Sequence, residues 1–124
     1  MKVAGKVNSL RVRRVYEPVM PDDGVRVLVD RLWPRGVNKQ RAGIDHWLKD
    51  VAPSHELRHR FHGQPQAWAE FVEAYALELS SPPAMQALQT LRECMAAGNV
   101  TLLFAARDDT HNNAVALKSW LERR

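Results

Sequence analysis

The sequence predicts a single α/β domain in which a small mixed β-sheet is covered by about five helices. Two runs, VRVLVD (25–30) and VTLLFAA (100–106), are nearly continuous in apolar character, as strands buried on both faces are. Between them, apolar residues recur at spacings of three and four, which is typical of helices. The chain of 124 residues has the size of one domain, which we place at 10–124 after a loose N-terminal segment at 1–9.

Three strands are predicted, and their connections suggest how they pair. LRVRRVY (10–16) alternates apolar and basic residues, as a half-exposed strand does. The loop after it, EPVMPDDG (17–24), is too short for a helical crossover, so these two strands are predicted to be antiparallel neighbours. The strand at 100–106 follows helices, so it is predicted to lie parallel to the strand at 25–30. These two parallel strands would then end at a common rim of the sheet.

Helices are predicted at 42–50, 54–63, 65–80, 83–98 and within the last segment, 108–124. Ser54 is the predicted N-cap of the second helix, and Gly63 closes that helix. The last helix is predicted to begin at a cap among residues 108–110, with Leu117 and Leu121 facing inward.

The two loops at the predicted rim carry an unusual set of side chains. RLWPRG (31–36) holds two guanidinium groups and an indole, and RDDTHNN (107–113) opens a helix whose free N–H groups favour an anion. Guanidinium groups bind carboxylate and phosphate oxygens well. The pattern therefore predicts a pocket for an anionic or polar small ligand, enzymatic or not, formed by Asp30, Arg31, Trp33, Arg35, Gly36, Arg107, Asp108, His111, Asn112 and Asn113.

Within this set, the three arginines would hold the anion and Trp33 would wall the pocket or stack on a flat part of the ligand. Asp30 and Asp108 would orient the arginines, or in an enzyme one of them would act as general base. Gly36 permits a sharp turn or a close backbone approach. The alternative is structural: Asp30 would form an ion pair at the sheet rim and Trp33 would close the core. No cofactor is predicted.

Two other functions remain open on the sequence alone. The net charge is +4, and a basic strip could bind nucleic acid, with Trp33 stacking on a base. That strip would comprise LRVRRV and Arg26, Arg31, Arg35, Lys39 and Arg41. A protein-interaction adaptor would instead use the indoles of Trp47, Trp68 or Trp120, where these are exposed.

A zinc site is a less favoured prediction. His55-Glu56-Leu57-Arg58-His59 spells H-E-x-x-H, and His62 offers a third nitrogen. The motif starts beside the predicted helix cap, just after Pro53, where the enclosure and supporting hydrogen bonds of a catalytic zinc site are hard to build. A solvated basic helix face is the favoured interpretation.

Localisation follows from what the chain lacks. No run approaches the roughly 20 apolar residues that cross a bilayer. The N-terminal stretch has no continuous apolar segment of the kind found in signal peptides. We therefore expect a cytoplasmic protein with no membrane partner. Cys94 is the single cysteine, which excludes an internal disulfide.

Several of these stretches together resemble the YeaO-like family, a group of small bacterial proteins with a domain of unknown function. They are RVLVDRLWPRG (26–36), APS-x-ELR (52–58), W-x-x-F-x-x-x-Y (68–75) followed by Glu78-Leu79, and LLFAARDDTHNNAVALKSWL (102–121). The resemblance runs from about residue 10 to the C-terminus, in order. It implies an α/β fold, a cytoplasmic setting and no established activity, so it assigns no catalytic residue.

Overall fold

The structure, a computed structural model, describes residues 8–123. Its elements are β1 (Leu10–Arg14), β2 (Val25–Leu28), α1 (Lys39–Ala42), β3 (His46–Trp47), α2 (His55–Phe61), α3 (Trp68–Glu78), α4 (Pro82–Ala97), β4 (Val100–Phe104) and α5 (Asn113–Glu122). Residues 1–7 of the predicted loose segment (1–9) lie outside the described residues. Ser9 contacts the sheet, since its carbonyl accepts the Val100 N–H at 3.0 Å. None of the helices between residues 8 and 123 is long and apolar enough to traverse a bilayer.

The four strands form one parallel sheet in the order β1-β4-β2-β3. The α/β class and the parallel pairing of β2 with β4 are confirmed, but the antiparallel pairing of β1 with β2 is wrong because β4 lies between them. The connection from β1 to β2 crosses over β4 without a helix. Residues 15–24 can span roughly 30 Å when extended, which suffices to return along β1 and pass one intervening strand.

The two faces of the sheet are covered differently. Alternate residues of β2 and β4 point to opposite faces, so Val27 and Leu102 join the main core while Leu28 and Leu103 join a second, smaller cluster. Helices α2 to α5 supply the main core, including Tyr75. The smaller cluster is covered by the loop segments around the sheet. The predicted inward-facing leucines of the last helix, Leu117 and Leu121, are both buried, as predicted.

The predicted helix at 42–50 is wrong in position. Helix α1 is a single turn that ends at Gly43, which adopts a left-handed conformation with φ of +62°. Beyond it the backbone pairs with β2: Asp45 donates to the Arg26 carbonyl at 2.8 Å and Leu48 donates to the Leu28 carbonyl at 2.9 Å. The local pattern of residues 42–50 favours a helix. Part of this segment forms the edge of the sheet instead, because pairing with β2 satisfies its backbone groups.

A buried ion pair fastens the β1–β2 crossover to the sheet. The Arg26 guanidinium is only 1% exposed and its Nη1 lies 2.6 Å from Asp23 Oδ2. The Arg26 Nε also donates to the Ala42 carbonyl at 3.0 Å. Burial alone would raise the pKa of the Asp23 carboxyl, but a hydrogen bond from the Met20 N–H and the Arg26 charge hold that pKa below its usual value.

Replacing Asp23 tests this role. We expect Asp23→Asn to lose roughly 3 kcal/mol or more of unfolding free energy, since it leaves a buried guanidinium without its counter-charge. Urea denaturation measures the loss. Asp22→Asn is the matched control, because the neighbouring Asp22 pairs with Arg11 in an exposed position where such pairs stabilise little. Equal losses in the two variants would contradict the assignment.

Candidate functional site

The loops that follow β2 and β4 meet at one edge of the sheet, as the sequence predicts. Leu28 lies opposite Leu103 in the parallel register, and the Val29 N–H extends the ladder by donating to the Leu103 carbonyl at 3.1 Å. The segments that follow β2 and β4 then leave the sheet at the same edge. Asp30 and Ala105 are the first residues beyond the ladder, so the side chains that follow them are held within one region.

The Asp30 carboxylate links three elements at this edge. One oxygen accepts the Ala105 N–H at 2.9 Å, and the other accepts the side-chain amide of Asn113 at 3.0 Å. The Asn113 amide also donates to the Val29 carbonyl at 2.9 Å. The carbonyl of Asp30 accepts the indole N–H of Trp47 at 2.7 Å. Asp30 therefore joins the ends of β2 and β4 to the start of α5 and to the edge strand β3.

Burial sets the ionisation of this carboxyl group. It raises the pKa of Asp30, and the hydrogen bonds from Asn113 and Ala105 and the charge of Arg58 offset only part of that rise. The pKa of Asp30 is thus higher than that of an exposed aspartate, although the carboxylate already accepts two hydrogen bonds.

Arg31 is committed to the backbone. Its guanidinium donates to the carbonyl of Pro53 at 3.2 Å and to that of Ala52 at 2.9 Å. These bonds hold the segment before α2 against the edge of the sheet. Within residues 8–123 Asp30 forms no close ion pair with an arginine, and Arg31 bonds carbonyl groups instead.

Arg35 and Gly36 form the corner of an exposed turn. The Val37 N–H donates to the Pro34 carbonyl at 3.4 Å, and Gly36 has φ of +74°, the left-handed geometry that glycine permits. The Arg35 carbonyl accepts the Tyr16 hydroxyl at 3.1 Å. Neither Arg35 nor Gly36 lines the two clefts described below.

Trp33 is anchored rather than free. Its indole N–H donates to the Val37 carbonyl at 2.9 Å, and its ring meets that of Trp47 edge-on at 5.3 Å. It also packs on the smaller core cluster that contains Leu28 and Ile44. One part of the indole lines a small cleft, so Trp33 serves both as a lid on that core cluster and as a wall.

Two adjoining clefts open at this edge. The smaller, about 210 Å³, contains Asp30, Arg31 and Trp33 in its lining. The larger, about 450 Å³, lies between the loop after β4 and the segment that joins α2 to α3. Four residues line both clefts: Pro53, Arg58, Ala106 and Asn113. Arg58 thus stands at the boundary between them.

The larger cleft contains two arginine side chains. Arg58 and Arg107 both line it, and neither guanidinium has a hydrogen-bond or ion-pair partner within residues 8–123. Aromatic rings form its wall. Trp68 stacks on Phe71 with centroids 5.5 Å apart, and His111 meets Trp68 edge-on at 4.9 Å. The site therefore combines two cations with an aromatic surface.

Sequence reasoning missed Arg58 and Trp68 as site residues. Ser54 caps α2, as predicted, by accepting the Leu57 N–H at 3.1 Å. The Glu78 carboxylate at the end of α3 accepts both the N–H and the hydroxyl of Ser54, at 2.7 and 2.5 Å. This pairing places α2, and with it Arg58, at the rim. The cap was visible in the sequence, whereas its partner lay 24 residues away.

The loop after β4 is braced internally. One carboxylate oxygen of Asp108 accepts the N–H groups of Thr110 at 2.9 Å and His111 at 3.0 Å, and these bonds hold the pKa of Asp108 below its usual value. The predicted cap of α5 among residues 108–110 is wrong. Asn112 caps the helix by accepting the Val115 N–H at 2.9 Å, because the Asp108 side chain is already used in the preceding turn.

The H-E-x-x-H segment lies on the exposed side of α2. The rings of His55 and His59 stack at 6.4 Å. Across residues 8–123, no group of three histidine, cysteine or acidic side chains is arranged to hold a metal ion.

Three arginines of the predicted basic strip are paired with aspartates. Arg11 pairs with Asp22 at 2.9 Å, Arg13 lies 3.3 Å from Asp23, and Arg26 is buried on the same carboxylate. The Arg14 guanidinium donates to backbone carbonyls of the β4 loop, at 2.9 and 3.1 Å.

The Asp30–Asn113 contact predicts a pH-sensitive variant. Asn113→Asp would place two carboxyl groups at hydrogen-bond distance, which raises the pKa of one of them in the folded state. Stability from a raised pKa is present at low pH and is lost as pH rises through it. We expect Asn113→Asp to be less stable at pH 8 than at pH 5 by roughly 1–3 kcal/mol beyond the wild-type difference, at about 1.4 kcal/mol per pKa unit. Thermal melts at the two values measure it.

Asn113→Ala is the control for that experiment. It removes the same two hydrogen bonds without adding a charge. Since the Asn113 hydrogen bond lowers the pKa of Asp30, some loss at high pH remains, but it should be smaller than that of Asn113→Asp. A parallel response of the two variants would refute the proposed coupling.

Comparison with known proteins assigns this chain to a family. The inactive DUF488-N3 subclade matches residues 9–124. The chain is 41% identical over 113 residues to the uncharacterized protein YeaO of Escherichia coli strain K12, across 91% of this chain and 96% of that protein. It is 46% identical over 117 residues to the uncharacterized protein Rv3073c of Mycobacterium tuberculosis strain H37Rv, across 93% and 95%. No solved structure matches. The chain therefore belongs to the YeaO-like family, within the DUF488 proteins.

Proposed function

We propose that this protein binds an anionic small molecule in the larger cleft, with Arg58 and Arg107 holding the charged group. The observation that carries the proposal is a pair of guanidinium groups in one cleft, neither of which forms a hydrogen bond or a close ion pair within residues 8–123. Arginine presents planar, paired donors that match carboxylate and phosphate oxygens. An anion would supply the acceptors that the described part of the chain does not.

The size and position of the cleft support the same function. Its volume of about 450 Å³ falls in the range of small-molecule sites, roughly 300–1,000 Å³. It lies beyond the carboxyl ends of parallel strands, where open α/β sheets bind their ligands. Asn113 contributes to its lining and is held in place by Asp30. The proposed setting is the cytoplasm.

The proposed role is binding rather than catalysis. The Asp108 carboxylate is occupied by the hydrogen bonds of its own loop, and both oxygens of Asp30 accept hydrogen bonds that hold the sheet edge together. Neither is therefore well placed to act as a general base without dismantling the site. The matching subclade is described as inactive, which agrees with this role.

Nucleic-acid binding is the less favoured function. It needs a run of cations that face solvent, whereas Arg11, Arg13 and Arg26 are paired with aspartates. Arg58 and Arg107 line a concave site, which suits a small ligand better than a polymer backbone.

A thermal-shift screen tests the proposal. At about 100 times its dissociation constant, a ligand adds ~2.7 kcal/mol, which raises the midpoint by several degrees for a domain of this size. We expect a phosphate- or carboxylate-bearing compound to do so. Arg58→Ala and Arg107→Ala should each raise the dissociation constant about tenfold or more, since a charge-assisted hydrogen bond is worth about 1.5–3 kcal/mol.

Two further arginine variants sharpen the test. Arg41→Ala removes an exposed cation from α1, outside the cleft lining, and should leave the shift unchanged. Arg35→Ala should also leave it unchanged, because that side chain lies on the exposed turn. Loss of the shift in Arg35→Ala but not in Arg58→Ala would move the site to the turn and overturn the cleft assignment.

A further inference from the structure

The larger cleft has more room than a simple inorganic anion fills. The cleft measures about 450 Å³, whereas a water molecule takes about 30 Å³ of liquid volume. A tetrahedral oxyanion between Arg58 and Arg107 would occupy a small part of it. The remaining space must be filled by another portion of the ligand or by solvent.

The lining of that remaining space is aromatic. Phe61 meets Phe71 edge-on at 5.9 Å, and Phe71 stacks on Trp68 at 5.5 Å with 26° between the ring planes. These rings form one connected wall, and Phe71 continues it into the core by stacking on Tyr75 at 5.8 Å. The wall is therefore fixed in place before any ligand binds. A fixed aromatic surface in a cleft favours a flat, unsaturated ring as its partner.

Polar groups stand around that wall. The His111 ring lies edge-on to Trp68 at 4.9 Å, and its Nδ1 lies 2.9 Å from the Thr110 hydroxyl, which limits its rotation. Gln64 and Asn113 also line the cleft, and because their amide nitrogens already donate within the fold, their amide oxygens are the groups that a ligand would use. A ring with nitrogen and oxygen atoms at its edge could use these groups, whereas a purely hydrocarbon ring could not.

We propose that the ligand of this cleft is a nucleoside monophosphate, with its phosphate at Arg58 and Arg107 and its base against the Trp68 wall. This inference rests on the proposed function and narrows the ligand to one class. A nucleoside monophosphate combines an anionic group, a flat ring and polar atoms at the edge of that ring. The aromatic wall adds affinity for any base, because every base offers a face for stacking.

The test compares ligands that contain successive parts of the proposed one. Calorimetric titration at fixed ionic strength would use the four common ribonucleoside 5′-monophosphates, ribose 5-phosphate, adenosine and inorganic phosphate. We expect at least one nucleoside monophosphate to bind ten times or more tightly than ribose 5-phosphate, and adenosine to bind weakly. Arg58→Ala should weaken every phosphorylated ligand.

The aromatic variants isolate the ring contact. Trp68→Ala should reduce the preference for the nucleotide over ribose 5-phosphate to less than threefold, while Trp68→Phe should retain most of it. Tyr16→Phe, which alters an exposed aromatic side chain outside the larger cleft, should bind as the wild type does. Circular dichroism and the binding of ribose 5-phosphate show whether Trp68→Ala is folded. Where it is not, Trp68→Leu replaces it, since leucine keeps apolar volume without a ring, and a nucleotide preference that survives in Trp68→Leu overturns the inference.

The outcomes separate the two proposals. If ribose 5-phosphate or another anion binds as tightly as every nucleotide and depends on Arg58, the cleft is an anion site and the nucleotide inference is overturned. If no anion binds, both proposals fall. A nucleotide preference that survives in Trp68→Ala and Trp68→Phe alike would also overturn the inference, because the wall would then play no part.

Discussion

The carboxylate of Asp30 is the junction on which the geometry of this protein's sheet edge depends. It receives one hydrogen bond from the backbone of β4 and one from the start of α5, while its own backbone belongs to the end of β2. Strand ends and helix starts expose backbone groups that need partners when they are buried. The Asp30 side chain satisfies one such group, the Ala105 N–H, and positions Asn113, whose amide satisfies another, the Val29 carbonyl. The positions of the β4 loop and of α5 relative to β2 follow from it.

The arginines of the chain divide by what surrounds them. Arg26 is buried against Asp23, and Arg31 binds the carbonyls of Ala52 and Pro53, so both stabilise the fold. A guanidinium group suits this task because its donors reach several acceptors in one plane. Arg58 and Arg107 differ only in their surroundings, since they face a cleft instead of carbonyl groups. The difference between a structural and a binding arginine is therefore one of position.

Local sequence signals predicted some features well because short-range physics decides them. The strands at β2 and β4, the Ser54 cap and the inward leucines of α5 each depend on residues close together in the chain. The predicted helix at 42–50 was wrong because backbone pairing with β2 outweighed the helical preference of the local pattern. The predicted cap of α5 among residues 108–110 was wrong because the Asp108 side chain is used in the preceding turn, and Asn112 caps the helix instead.

By itself, the sequence determined that two apolar strands would end at one edge with Asp30 and the loop 107–113 beyond them, since burial and parallel pairing leave little freedom there. Only the tertiary structure decided that β4 separates β1 from β2, and that Arg58 and Trp68 join the edge from α2 and α3. Those placements depend on contacts such as Ser54 with Glu78, between residues far apart in the chain. Such contacts leave no periodic or local mark, because each depends on how whole elements pack.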